Sequence, residues 1–158
     1  MNKFLKFLAF ASSAVLLVVG FPSSSIATEP SSEPKPPCRI QVSHAHISNW
    51  IFTHEGYRAV KVDAFSRCNV PQSKVTLTVE IWKLETFGKI RVARTYVKSP
   101  GVTFPGKDVE NFKTFRRCKS HEMTKYYGVA YAKAFIQGKW QVAMDTYSTD
   151  VQTLACGT

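Results

Sequence analysis

The segment from Thr124 to Trp140, TKYYGVAYAKAFIQGKW, constrains this chain more than any other. Its Ala-Tyr-Ala-Lys-Ala-Phe centre is compatible with helix, but small and large residues alternate through most of it. With a period of two, Gly128, Ala130, Ala132, Ala134 and Ile136 share one face, and Tyr127, Val129 and Tyr131 share the other. A helix would scatter the small residues around its axis and leave no apolar stripe, so the segment reads as a strand. Gln137-Gly138-Lys139 then turns the chain into a second alternating run, WQVAMDTY, which makes the whole a hairpin. A face of small side chains suits a central strand against which bulkier residues of a second sheet pack.

The same alternation recurs elsewhere. Val75, Leu77, Val79 and Ile81 alternate with Thr76, Thr78, Glu80 and Trp82 in the clearest half-buried strand. Further strands are expected at Arg39–Ser43, Ala59–Ser66, Ile90–Tyr96, Asn111–Arg117 and Gln152–Ala155. Gly56, Pro71, Gly88, Pro100-Gly101 and Pro105-Gly106 punctuate them, and no helical stripe stands out. Seven or eight short strands with evenly spaced turns imply an all-β, antiparallel β-sandwich.

The N-terminus reads as a secretory signal. Lys3 and Lys6 precede an apolar run from Phe7 to Gly20, and Ser25-Ile26-Ala27 offers a small-x-small cleavage site. The run is shorter than the ~20 residues a bilayer-spanning helix needs, so the mature chain is expected to carry no transmembrane segment. Residues 1–27 are thus assigned to the signal peptide and 28–37, rich in proline and serine, to a disordered tether. Residues 38–158 form the folded domain of a secreted, extracellular protein.

Four cysteines lie in that domain, at 38, 68, 118 and 156. In an exported chain an even number implies disulfides, and three pairings are open. We favour Cys38 with Cys68 and Cys118 with Cys156, because each pair brackets two or more expected strands. A zinc site is the alternative, but no C-x-x-C spacing occurs.

The segments CRIQVSHAHIS, VKVDAFSRC, VTLTVEIWKL and TKYYGVAYAKAFIQGKW, with a third cysteine before the last of them and a terminal cysteine, carry a resemblance. The chain resembles small secreted actinobacterial proteins built on one four-cysteine immunoglobulin-like sandwich. Their pattern places His-x-Ser after the first cysteine, a Val-x-Leu-Tyr-Arg strand after the second, and Tyr-x-Gly-x-Ala with Gly-x-Trp after the third. His46-Ile47-Ser48, Ile81-Trp82-Lys83, Tyr126 to Ala130 and Gly138-Lys139-Trp140 stand in those places, with tryptophan where the third strand usually has tyrosine. The resemblance implies an immunoglobulin-like fold and the same disulfide scheme, and it brings no established activity.

Chemistry-bearing residues are sparse. His44 and His46 would share a strand face and could form half of a metal site completed by His54 or His121, but no local spacing supplies the third ligand. The same histidines near cations could serve a small secreted nuclease or toxin, yet no recognisable arrangement supports it. Gly-x-Ser-x-Gly, His-Glu-x-x-His and phosphate-loop patterns are missing, and oxidised cysteines offer no thiolate. The expectation is a protein without enzymatic activity, cofactor or metal.

Charge is more informative. Removing Lys3 and Lys6 leaves 19 basic residues against 11 acidic ones, a net of +8. Lys89, Arg91, Arg94 and Lys98 gather in KIRVARTYVK, and Lys113, Arg116, Arg117 and Lys119 surround Cys118. In a regular strand Arg91 and Arg94 would face opposite ways, so a bulge or an edge position is needed to bring them together. Phe112, Phe115, Tyr126, Tyr127 and Tyr131 interleave with the second group, although core filling explains most of them. Charged edge strands also keep sheets from joining, which accounts for part of the excess. The remainder points to an anionic partner outside the cell, such as an acidic wall polymer, a membrane surface or extracellular nucleic acid. A protein partner at an exposed edge or at the expected loop Lys98–Lys107 is the alternative.

Overall fold

The computed structural model describes residues 37–146 and 150–158. The expected signal peptide, nearly all of the expected tether, and Tyr147 lie outside the described residues.

Nine strands and one short helix follow in the order β1 (Cys38–Val42), β2 (His46–Ile47), α1 (Asn49–Glu55), β3 (Ala59–Cys68), β4 (Gln72–Glu85), β5 (Gly88–Thr103), β6 (Asp108–Arg117), β7 (Ser120–Ile136), β8 (Lys139–Thr146) and β9 (Gln152–Gly157). Eight of these nine strands fall on the eight segments with period-two alternation. They form two antiparallel sheets of four and five strands, an all-β, sandwich-like architecture. In the four-stranded sheet β3 pairs with β6 along one side and with β1 and then β2 along the other. In the five-stranded sheet the order is β5-β4-β7-β8, with β9 pairing to the first half of β7.

The core lies between the sheets. Val42, Val60, Val62 and Ala64 of one sheet meet Val75, Leu77, Val79, Ile81, Ala130, Ala132 and Ala134 of the other. The small face of β7 is what lets them close. A Cβ added at Gly128 would stand 2.6 Å from Val62 Cγ1 and 3.1 Å from Val42 Cγ2, so any larger residue there would push the sheets apart. Gln137 and Gly138 both take positive φ, 49° and 79°, the backbone geometry of a two-residue hairpin turn.

A polar pin crosses the same interior. Fully buried Asn111 of β6 donates through Nδ2 to the carbonyls of Leu77 and Thr95, at 3.4 Å each, and Thr95 Oγ1 bonds its Oδ1 at 3.2 Å. Thr114, also fully buried, hydrogen-bonds Thr95. With Asn111 paired in this way, its burial carries no unmet desolvation cost.

Both disulfides form in the favoured pairing, Cys38–Cys68 and Cys118–Cys156. The first joins directly paired residues of β1 and β3. The second ties β9 to the connection entering β7. Closing loops of 30 and 38 residues removes unfolded-state entropy worth about 3.5–4 kcal/mol each in the chain-entropy model. Two disulfides fit an extracellular or otherwise oxidising compartment. Among the described residues no helix is long and apolar enough to cross a membrane.

Two expectations need correction. A helix does exist: α1 runs for seven residues, capped by the Ser48 side chain, which accepts from the Ile51 amide, and ended by Gly56 at φ 71°. It buries only Ile51, too little for a stripe to show in the sequence. Pro100-Gly101 does not end a strand either. β5 continues through it to Thr103, with a bulge opposite Ser73–Val75, and as an edge strand it tolerates the missing amide.

Candidate anion-binding face

Each sheet has an outer face, and the five-stranded one gathers the unusual chemistry. Register places Lys98, Tyr96, Arg94, Arg91 and Lys89 of β5 opposite Thr76, Thr78, Glu80, Trp82 and Leu84 of β4. The next strands add Tyr127, Val129, Tyr131, Lys133 and Phe135 from β7, then Met144, Val142 and Trp140 from β8.

The cations of β5 share that face because the strand is both an edge and bulged. Ile81 pairs with Ala93 while Trp82 pairs with Arg91, so Val92 is the extra residue. The bulge restores phase between Arg91 and Arg94. Arg91 Nη1 lies 2.9 Å and Arg94 Nε 3.4 Å from Glu80 Oε1, and Trp82 Nε1 donates to Glu80 Oε2 at 2.9 Å. The Glu80 side chain is only 4% exposed, so this carboxylate is buried beneath two guanidinium groups and an indole. Among the described residues it is the single acid that register places on this face from Lys89 to Lys98.

Aromatic rings alternate with the cations. Lys89 Nζ and Arg91 Cζ lie 5.3 and 5.8 Å from the Trp82 ring, which stacks on Tyr127 at 6.4 Å. Lys98 lies 5.4 Å from the Tyr96 ring and Lys133 4.6 Å from that of Trp140, which meets Phe135 edge-on. Tyr96, Trp140, Val142 and Met144 are all exposed. The face therefore combines backbone-neutralising charge with rings held at fixed positions, a combination that suits a flexible polyanion.

The second group does not form such a patch. β6 bulges between Asn111 and Thr114 opposite Val62 and Ala64. Beyond it Phe115 pairs with Lys61, Arg116 with Val60 and Arg117 with Ala59, so Arg116 and Arg117 lean to opposite sides of the sheet. Arg117 covers the Tyr57 ring at 4.7 Å, Lys113 sits at the bulge, and Lys119 follows the strand's end. Of the interleaved aromatics, Phe112 and Phe115 are exposed. Tyr126 is core, its hydroxyl donating to the Cys156 carbonyl, while Tyr127 belongs to the five-stranded sheet's outer face.

The histidines stay separate. His44 Nδ1 faces Asp150 at 3.5 Å, whereas His46 hydrogen-bonds the His44 carbonyl and lies 3.9 Å from Asp63. His54 stacks on Trp50, and His121 meets Arg58. Among the described residues no three potential metal ligands gather. The expected loop Lys98–Lys107 is mostly strand, only Phe104 to Lys107 lying between β5 and β6.

Sequence reasoning found the β5 cations but missed Lys133, Trp82 and Trp140 as their neighbours. A family-model search of the sequence finds no match, and a search of curated proteins finds none either.

Proposed function

We propose that this is a secreted, non-enzymatic, basic β-sandwich domain that binds an anionic polymer at or outside the cell envelope. In this reading the fold is the immunoglobulin-like one of the small secreted actinobacterial proteins the sequence resembles. The outer face of the five-stranded sheet makes the contact. One observation carries the reading: Lys89, Arg91, Arg94, Lys98 and Lys133 stand among aromatic rings, and among the described residues the single acid that register places on this face from Lys89 to Lys98 is buried under Arg91 and Arg94. A repeating anion laid across β5, β4 and β7 would meet successive cations while its apolar groups touch the rings.

The test compares two pairs of charge reversals by salt elution from heparin and from purified acidic wall polymer. Lys98→Glu with Lys133→Glu should lower the eluting salt concentration substantially, and Arg116→Glu with Arg117→Glu should shift it less. Equal shifts would assign binding to net charge alone. Retention indifferent to salt and to both pairs would overturn the proposal.

A further inference from the structure

At one end of the sandwich the β4–β5 hairpin, the start of β7 and the end of β9 enclose an open cleft. We infer that this end docks on an anionic lipid bilayer, with apolar side chains entering the interface and lysines meeting the headgroups. The cleft shares Lys89 with the polymer-binding face, and the variants below leave that lysine unchanged.

Phe87 carries the argument. It occupies the turn between the 14-residue β4 and the 16-residue β5 and is fully exposed. Gly, Pro, Asn, Asp and Ser dominate turns, and a fully exposed phenylalanine there buries no apolar surface within the fold. Met123 and Ile90, which line the same cleft, are 63% and 47% exposed, so the rim presents three apolar side chains to solvent. Lys89, Lys119 and Lys125 stand around them, all exposed. Of the two acids lining the cleft, Glu85 is held by Lys83 at 2.8 Å, which leaves Glu122 against the three lysines.

Charge complementarity selects the occupant. A soluble anion needs the lysines but not a projecting phenylalanine, and a neutral apolar surface needs no lysines. An anionic bilayer uses both, since cations near its surface add attraction while apolar side chains reach the acyl boundary. Helix α1 stands at the same end, because the Cys118 amide donates to the Arg58 carbonyl just beyond it, and it exposes Trp50 and Phe52.

The probe is co-sedimentation of the disulfide-bonded protein with vesicles of phosphatidylcholine alone or mixed with phosphatidylglycerol. Binding should require phosphatidylglycerol, and Phe87→Ser with Met123→Ser should weaken it about tenfold or more. Lys119→Glu with Lys125→Glu should also weaken it, whereas Phe104→Ser, at an exposed site away from this cleft, should not. All of these positions are exposed, and unchanged circular dichroism would verify their folding. As a second readout, the emission of the Phe87→Trp variant should gain a blue-shifted component on mixed vesicles. Indifference of the parent chain to phosphatidylglycerol, equal binding by Phe87→Ser with Met123→Ser, or an unshifted spectrum of the Phe87→Trp variant would each overturn the inference. Heparin elution of Phe87→Ser with Met123→Ser should match the parent's, which keeps a failure here distinct from failure of the polymer-binding reading.

Discussion

The two outer faces of the sandwich differ in how many of their cations have an acid of their own. On the four-stranded sheet Arg67 and Lys61 each have an acid nearby. Arg67 forks onto Asp108 at 2.5 and 2.6 Å from the adjacent strand, and Lys61 meets Asp63 at 2.9 Å. On the five-stranded sheet two arginines share one buried carboxylate, and Lys89, Lys98 and Lys133 rest against aromatic rings. Pairing offsets part of the charge on the first face, while the second accumulates more positive potential. The lesson is that net charge belongs to the composition, but strand order decides where it accumulates.

Three stability measurements put this contrast to the test. Glu80→Ala should have the largest effect, about 2 kcal/mol by urea unfolding. It strips two guanidinium groups and an indole of their acceptor, and the arginines' partial exposure keeps the loss below that of a fully buried pair. A change near zero would mean that water replaces the carboxylate, and the face would count as cationic without an organising centre. Trp82→Leu comes next, at about 1 kcal/mol, through loss of the Tyr127 stack and the Lys89 and Arg91 contacts. An unchanged urea midpoint would show that these ring contacts add nothing to folding.

The smallest effect is on the other face and depends on pH. Hydrogen bonding from Arg67 holds the Asp108 carboxyl below its ordinary value, more than burial raises it. A depressed folded-state pKa adds stability that is present above the unfolded value and lost as pH falls through the folded one. Acid titration of the thermal midpoint should thus show Asp108→Asn levelling the part of the decline that lies below the ordinary carboxylate range. Identical acid profiles for the two chains would show that this pair is too well solvated to matter.

Much of the architecture is readable in the sequence because burial on one side of a strand forces alternation. Val75 to Trp82 and Gly128 to Ile136 advertise their faces that way, and each turned out to be a central strand. Two features escaped because their signals are not periodic. Helix α1 is specified by a cap at Ser48 and a left-handed Gly56, too close together for a repeat to develop. β5 runs past Pro100 because its position at a sheet edge makes the lost amide harmless, and edge position is a property of the assembled sheet.

The candidate site divides along similar lines. Lys89, Arg91, Arg94 and Lys98 could be grouped in the sequence, together with their need for a bulge or edge. Lys133 and Trp140 join them only through the order β5-β4-β7-β8, which no local pattern encodes. Conversely, Arg116 and Arg117 look like a cluster because they are consecutive, and consecutive residues of a strand point apart.

The two sulfur bridges also determine how the domain would respond to tension. Cys38 opens β1 and Cys156 lies near the end of β9, so a pull on residues 37 and 158 meets a covalent shortcut almost at once from either side. Only the stretch between Cys68 and Cys118 is free to extend. At roughly 3.5 Å per residue its taut length is about 175 Å, against about 400 Å for the same span of reduced chain. A protein strung between a surface and its partner would thus yield by less than half its contour before the backbone itself bore the load.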